Sequence, residues 1–85
     1  MAERRYTAEE IRKAVTQMVA EIADVSADEI SDTTKFGDDL GLDSLRALEL
    51  MVAVDRKYRI KIPEQEFTQI GDINAAVAAV QRHLP

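Results

Sequence analysis

Apolar residues recur along this chain in stripes that predict helices. Ile11, Val15, Met18 and Ile22 follow one another at helical spacing, and Val19 widens the stripe. Just ahead of them, Thr7-Ala8-Glu9-Glu10 has the form of a capping box, in which Thr7 caps and Glu10 reaches back. A first helix is therefore predicted from Thr7 to about Ala23. A second stripe, Ala47, Leu50, Met51, Val54 and Tyr58, predicts a helix from Ser44 to Tyr58. The residue before a proline avoids the α region, so Ile62 is expected to be extended. Pro63 then suits the first position of a short third helix ending near Phe67. Asp72 can cap a fourth helix carrying Ile73, Val77, Val80 and Leu84. The alanines among them, Ala75, Ala76, Ala78 and Ala79, favour helix and permit close packing. "YRIKI" alternates as a strand would, but it has no partner strand and runs into Pro63, so it reads as an extended connection.

Residues 24–43 are rich in Asp, Ser, Thr and Gly. Structureless loops of more than about 12–15 residues are uncommon in compact domains. Val25, Ile30, Phe36 and Leu40 are therefore expected to plug this segment into the core, with a short turn near Ala27–Ile30. The pattern predicts an all-α fold: a four-helix bundle with three longer helices, one short helix and a long first loop, in a single domain spanning 1–85.

The second helix carries a further apolar series, Leu45, Leu48 and Val52, beginning immediately after Ser44. Either the helix is central and buried all round, or this series is exposed. A small bundle seldom buries both faces of one helix, so we expect an exposed patch of the kind that meets a partner, rimmed by Arg46 and Glu49.

Composition narrows the chemistry. Of the 85 residues 46% are hydrophobic, enough to pack a small core. With no cysteine, disulfides and thiolate metal sites are excluded. "MAERRYTAEE" does not resemble a secretory signal, and no uninterrupted hydrophobic run approaches bilayer length. A cytoplasmic monomer is expected. The net charge of -5 is uneven: residues 1–43 hold five basic and eleven acidic side chains, and residues 44–85 hold six basic and five acidic. The acidity lies ahead of Ser44. It repels nucleic acid and anionic membranes and favours basic protein partners.

The densest chemistry is "GDDLGLDSL", Gly37 to Leu45. Asp and Ser are common at helix starts because they bond free backbone N–H groups, and Gly41 permits a tight turn. A nucleophilic Ser44 would need a base, yet the one histidine is His83 near the C-terminus, and no G-x-S-x-G elbow is present. Asp38, Asp39 and Asp43 are oxygen ligands by type, but their spacing is not that of an EF-hand. Helix capping and a modification site both remain open on residue types alone.

"DLGLDSL", followed by "LELMVAVDRKYRIKIP", closely resembles the acyl carrier proteins of fatty-acid and polyketide synthesis. The resemblance takes in the first helix, the long loop with Phe36, the "IP" before a short helix and the alanine-rich last helix. It implies that Ser44 carries 4′-phosphopantetheine, transferred from coenzyme A by a phosphopantetheinyl transferase. Asp43 would belong to the modification motif. The chain would be a non-catalytic carrier, holding acyl groups as thioesters and presenting them to ketosynthase, acyltransferase and other acyl-processing enzymes. Asp39, Asp43, Leu45, Leu48, Glu49 and Val52 would form the partner surface. An Ala- and Val-rich interior lined by Phe36, Leu50, Val54, Ile62 and Ile70 could admit an alkyl chain. A peptidyl or D-alanyl carrier would share the arm and differ in cargo; a helical adaptor would use the same apolar patch with no prosthetic group.

The sequence also departs from the family pattern. The second helix of typical fatty-acid carriers is acidic toward its far end, where this chain reads Asp55-Arg56-Lys57. Leu42 stands where alanine is common in those carriers, so "GLDSL" leans toward polyketide or specialised discrete carriers.

Overall fold

Capping chemistry sets the boundaries of the helices. A computed structural model describes residues 6–85. Helix α1 spans Ala8–Ala23. The Thr7 hydroxyl accepts from the Glu10 amide at 3.1 Å, and the Glu10 carboxylate accepts from the Thr7 amide at 3.0 Å, closing the expected box. A 3-10 turn covers Ala27–Glu29. Helix α2 spans Ser44–Tyr58, α3 spans Glu64–Phe67, and α4 spans Ile73–His83. Asp72 caps α4, its Oδ1 accepting from the Ala75 amide at 2.8 Å.

Pro63 is the residue before α3 rather than its first helical position. Its φ of -59° suits a helix, but its ψ of 145° is extended, so the turn begins at Glu64.

Helix α1 packs against both α2 and α4. Its stripe of Ile11, Val15 and Val19 is fully buried against Leu50, Val54 and Tyr58 of α2 and Ile73, Val77 and Val80 of α4. Phe36 and Ile62 enter this core from the two connections, and Ile30 and Leu40 pack against it partly buried. Val25, expected as a further plug, stays half-buried outside this cluster. The Tyr6 ring meets the Tyr58 ring edge-on, with centroids 4.9 Å apart.

The long loop is held by backbone bonds as well as by its apolar plugs. The Phe36 amide donates to the Gly71 carbonyl at 2.9 Å, and the Asn74 amide donates to the Asp32 carbonyl at 3.1 Å. These two bonds fasten the loop to the start of α4. Within it, the Lys35 amide donates to Asp39 Oδ2 at 2.8 Å and the Leu42 amide to the Phe36 carbonyl at 2.9 Å. Gly41 turns the chain at φ 67°, a left-handed conformation that favours glycine. The loop therefore delivers Asp43 and Ser44 to α2 in a defined geometry.

Candidate functional site

The first turn of α2 assigns different tasks to Asp43 and Ser44. Asp43 is the cap: its backbone is extended and its Oδ1 accepts from the Arg46 amide at 2.9 Å. Ser44 is the first helical residue and is exposed. Among the described residues nothing hydrogen-bonds the Ser44 hydroxyl. The serine is therefore spare, projecting beside backbone N–H groups that a helix leaves free at its start. Arg46 does not turn toward it: its guanidinium donates to the Ile22 carbonyl near the end of α1.

Beside Ser44 opens a cleft of about 460 Å³ between α2, α3 and the long loop. Leu42, Ala47, Leu48 and Met51 line the α2 side, with Phe67 and Ile70 opposite and Phe36 and Leu50 at its base. Glu64 and Thr68 add polar groups on the α3 side. Phe36, Leu50 and Ile70 were expected around an interior pocket, and all three line this cleft. Val54 and Ile62 do not; both are buried in the main core. Leu42, Met51 and Phe67 escaped the sequence reading. Phe67 of α3 and Met51 of α2 line the same cleft, and nothing in the pattern encodes how those two helices come together.

The Leu45 series is exposed as expected: Leu45 is 64% exposed, Leu48 47% and Val52 44%. Leu48 both borders the cleft and belongs to this outer patch. Asp39 and Glu49 are exposed on either side of Asp43 in the sequence, although the Asp39 carboxylate is also used within the loop, on the Lys35 amide. The three aspartates do not converge: among the described residues no three His, Cys, Asp or Glu side chains form a metal-ligating group. His83 lies apart from Ser44, with its Nε2 on Glu66 Oε1 at 2.7 Å, and does not line the cleft.

These residues fit a phosphopantetheine group. An exposed hydroxyl with no competing bond can accept a phosphodiester, and the positive end of a helix favours a phosphate there. The exposed carboxylates of Asp38, Asp39 and Asp43, which precede Ser44 in the chain, would act against that preference. The adjacent apolar cleft is of ligand-binding size. When attached, the group supplies a terminal thiol that holds an acyl chain as a thioester.

Comparison with known proteins agrees with this geometry. The family model described as a phosphopantetheine attachment site matches residues 13–80. An acyl carrier protein of Sulfurovum sp. (strain NBC37-1) is 36% identical over 67 residues, covering 79% of this chain and 89% of that protein. A solved acyl carrier protein from Enterococcus faecalis superimposes with a TM-score of 0.79, at 24% identity, over 92% of this chain and 99% of that one, and so shares its fold. No helix among the described residues is long and apolar enough to cross a membrane. A family match over most of the chain, a relative aligned along most of its own length and a spare serine at the start of α2 lead to one assignment: the chain belongs to the phosphopantetheine-dependent acyl carrier proteins.

Proposed function

We propose that Ser44 is the attachment residue and that the domain, residues 1–85, acts as a non-catalytic cytoplasmic carrier of acyl intermediates in fatty-acid or polyketide synthesis. The observation that carries this reading is the division of labour at the start of α2. Asp43 caps the helix, and Ser44 is left exposed with a free hydroxyl. In the transfer, Ser44 Oγ gives its proton to a base of the transferase and bonds to the β-phosphorus of coenzyme A, whose bond to the bridging oxygen breaks so that adenosine 3′,5′-bisphosphate leaves. Asp43 holds the serine at a fixed place on the helix for the transferase. Leu45, Leu48 and Val52 give acyl-processing enzymes an apolar surface beside the attachment point, with Asp39, Asp43 and Glu49 as its acidic rim. The apolar cleft, with Phe36, Leu50 and Ile70 among its lining, can shelter the proximal part of a cargo chain.

The test is intact mass after incubation with coenzyme A and a broad-specificity phosphopantetheinyl transferase. A gain equal to one phosphopantetheine, absent in folded Ser44→Ala, is expected. No gain, in the presence of an active control carrier, removes the reading and leaves a helical adaptor with no prosthetic group. Loading the modified protein with acyl or aminoacyl groups then separates acyl from peptidyl cargo.

A further inference from the structure

Glu66 of α3 joins Arg82 and His83 in a cluster that the site at Ser44 does not use. Its Oε2 accepts from the Arg82 guanidinium, and its Oε1 lies 2.7 Å from His83 Nε2. Both partners belong to the last turn of α4. The cleft, by contrast, takes Glu64, Phe67 and Thr68 from α3 and its C-cap, at the i, i+3 and i+4 spacing of one helical face. At about 100° per residue, Glu66 stands roughly 150° from the middle of that face. It reaches α4 from the back of the wall and does not line the cleft.

The segment carrying α3 is fixed at both ends and lightly held between them. Before it, the buried Ile62 donates its amide to Asp55 Oδ1 at 3.2 Å. After it, the Gly71 carbonyl accepts from the Phe36 amide at 2.9 Å. Between these points α3 has no side-chain cap at its start and no buried residue. Among the described residues, the other side-chain hydrogen bond here, from Thr68 Oγ1 to the Gln65 carbonyl, closes on the segment itself. Glu66 thus supplies the polar tie from α3 to another helix. That helix is a firm anchor, since Val77, Ala79 and Val80 of α4 are buried.

The cleft walls favour closure. Phe67 and Ile70 on one side and Ala47 and Leu48 on the other are apolar and not fully buried, so bringing them together removes apolar surface from water. A wall with nothing behind it would move in toward α2. We propose that Glu66 is a positioning residue that braces α3 from behind, against the end of α4, and so keeps the cleft open. One consequence rests on the carrier reading: an alkyl cargo meets a space already formed and spends little of its binding on reopening it. Ser44 itself lines the cleft, so the attachment point and the braced space adjoin.

The first measurement needs no cargo. In the unmodified protein, Glu66→Ala strengthens the nuclear Overhauser contacts from the Phe67 ring to the Ala47 and Met51 methyls as the wall moves in. Arg82→Ala, which leaves α3 unaltered and His83 on Glu66, moves them in the same direction by less. Glu66→Arg/Arg82→Glu re-forms the pair with its signs exchanged and restores the wild-type contacts, a rescue that mere loosening of the fold would not show. Unchanged or weakened contacts in Glu66→Ala overturn the brace, as does an exchanged pair that behaves like Glu66→Ala. The second measurement uses protein modified from octanoyl-coenzyme A and verified by mass. Octanoyl loading raises the urea midpoint of the wild type, and Glu66→Ala keeps about half of that gain or less. A gain equal in the two proteins overturns the role in sheltering cargo, as does a wild type with no gain. A wild type that never takes up phosphopantetheine removes the carrier reading, while the methyl contacts still decide the brace.

Discussion

The two faces of α2 are built on different terms. Toward α1, Leu50, Val54 and Tyr58 join the wholly buried Ile11, Val15 and Val19 in one closed core, in which α1 packs against both α2 and α4. Toward α3, Ala47 and Met51 face a cleft whose opposite wall is a four-residue helix with no buried residue. A helix that short gains little stability from its own hydrogen bonds, so α3 depends on its tertiary contacts. One face of α2 thus fixes where Ser44 stands, and the other leaves room beside it.

The largest expected effect tests that contrast directly. Ile11→Ala removes a fully buried side chain from the α1 core, and large-to-small changes of this kind cost about 2–5 kcal/mol. Phe67→Ala, on the half-buried cleft wall, should cost less than half as much despite removing more atoms. Urea denaturation of both variants measures this. If the Phe67 variant proves as unstable as the Ile11 variant, α3 is part of the scaffold and the contrast fails.

A smaller effect separates the two residues at the start of α2. Asp43→Ala removes the cap and should cost about 1 kcal/mol. Ser44→Ala removes a hydroxyl that makes no bond among the described residues, and should change stability by less than about 0.5 kcal/mol. Equal losses in the two variants would mean that the serine hydroxyl also holds the helix together.

The scaffold was legible in the sequence because short-range rules decide it. Thr7 with Glu10, Asp72, and the apolar stripe of α1 each act within a few residues, and the elements formed where they pointed. The exposed Leu45 series was legible too, since it is a matter of helical phase. The cleft was less so. Val54 and Ile62 have the residue types of a pocket lining but lie in the closed core. Leu42 and Phe67 reach the cleft because backbone bonds from Phe36 to Gly71 and from Leu42 to Phe36 fold the loop against the α3–α4 junction. Such pairings join residues up to 35 apart, and no periodicity announces them. Val25 failed as a plug for a related reason: apolar character alone did not bring it into the core, since it follows Asp24, whose left-handed backbone at φ 60° already ends α1.

The smallest effect concerns what holds α3 in place. Glu66 reaches across to α4, where Arg82 donates to its Oε2 and His83 Nε2 contacts its Oε1. The hydrogen bond from Arg82, followed by that from His83, holds the Glu66 carboxyl below the usual glutamate range. A carboxyl lowered in the folded state contributes stability above its unfolded value, about 4.3, and loses that contribution as pH falls through the lower folded value. The clasp should therefore be intact at neutral pH and open in acid. Hydrogen exchange of the Phe67 and Thr68 amides, which report on α3, compares wild type with Glu66→Gln. At neutral pH the variant should exchange faster; once the pH is below the lowered folded value the two should converge. The group is near the surface, so added salt should also narrow the gap. A gap that widens in acid would reverse the sign. Equal exchange in the two proteins at every pH would show that the neutral amide of the variant holds α3 as well as the carboxylate does, so that geometry rather than charge keeps the cleft wall against α4.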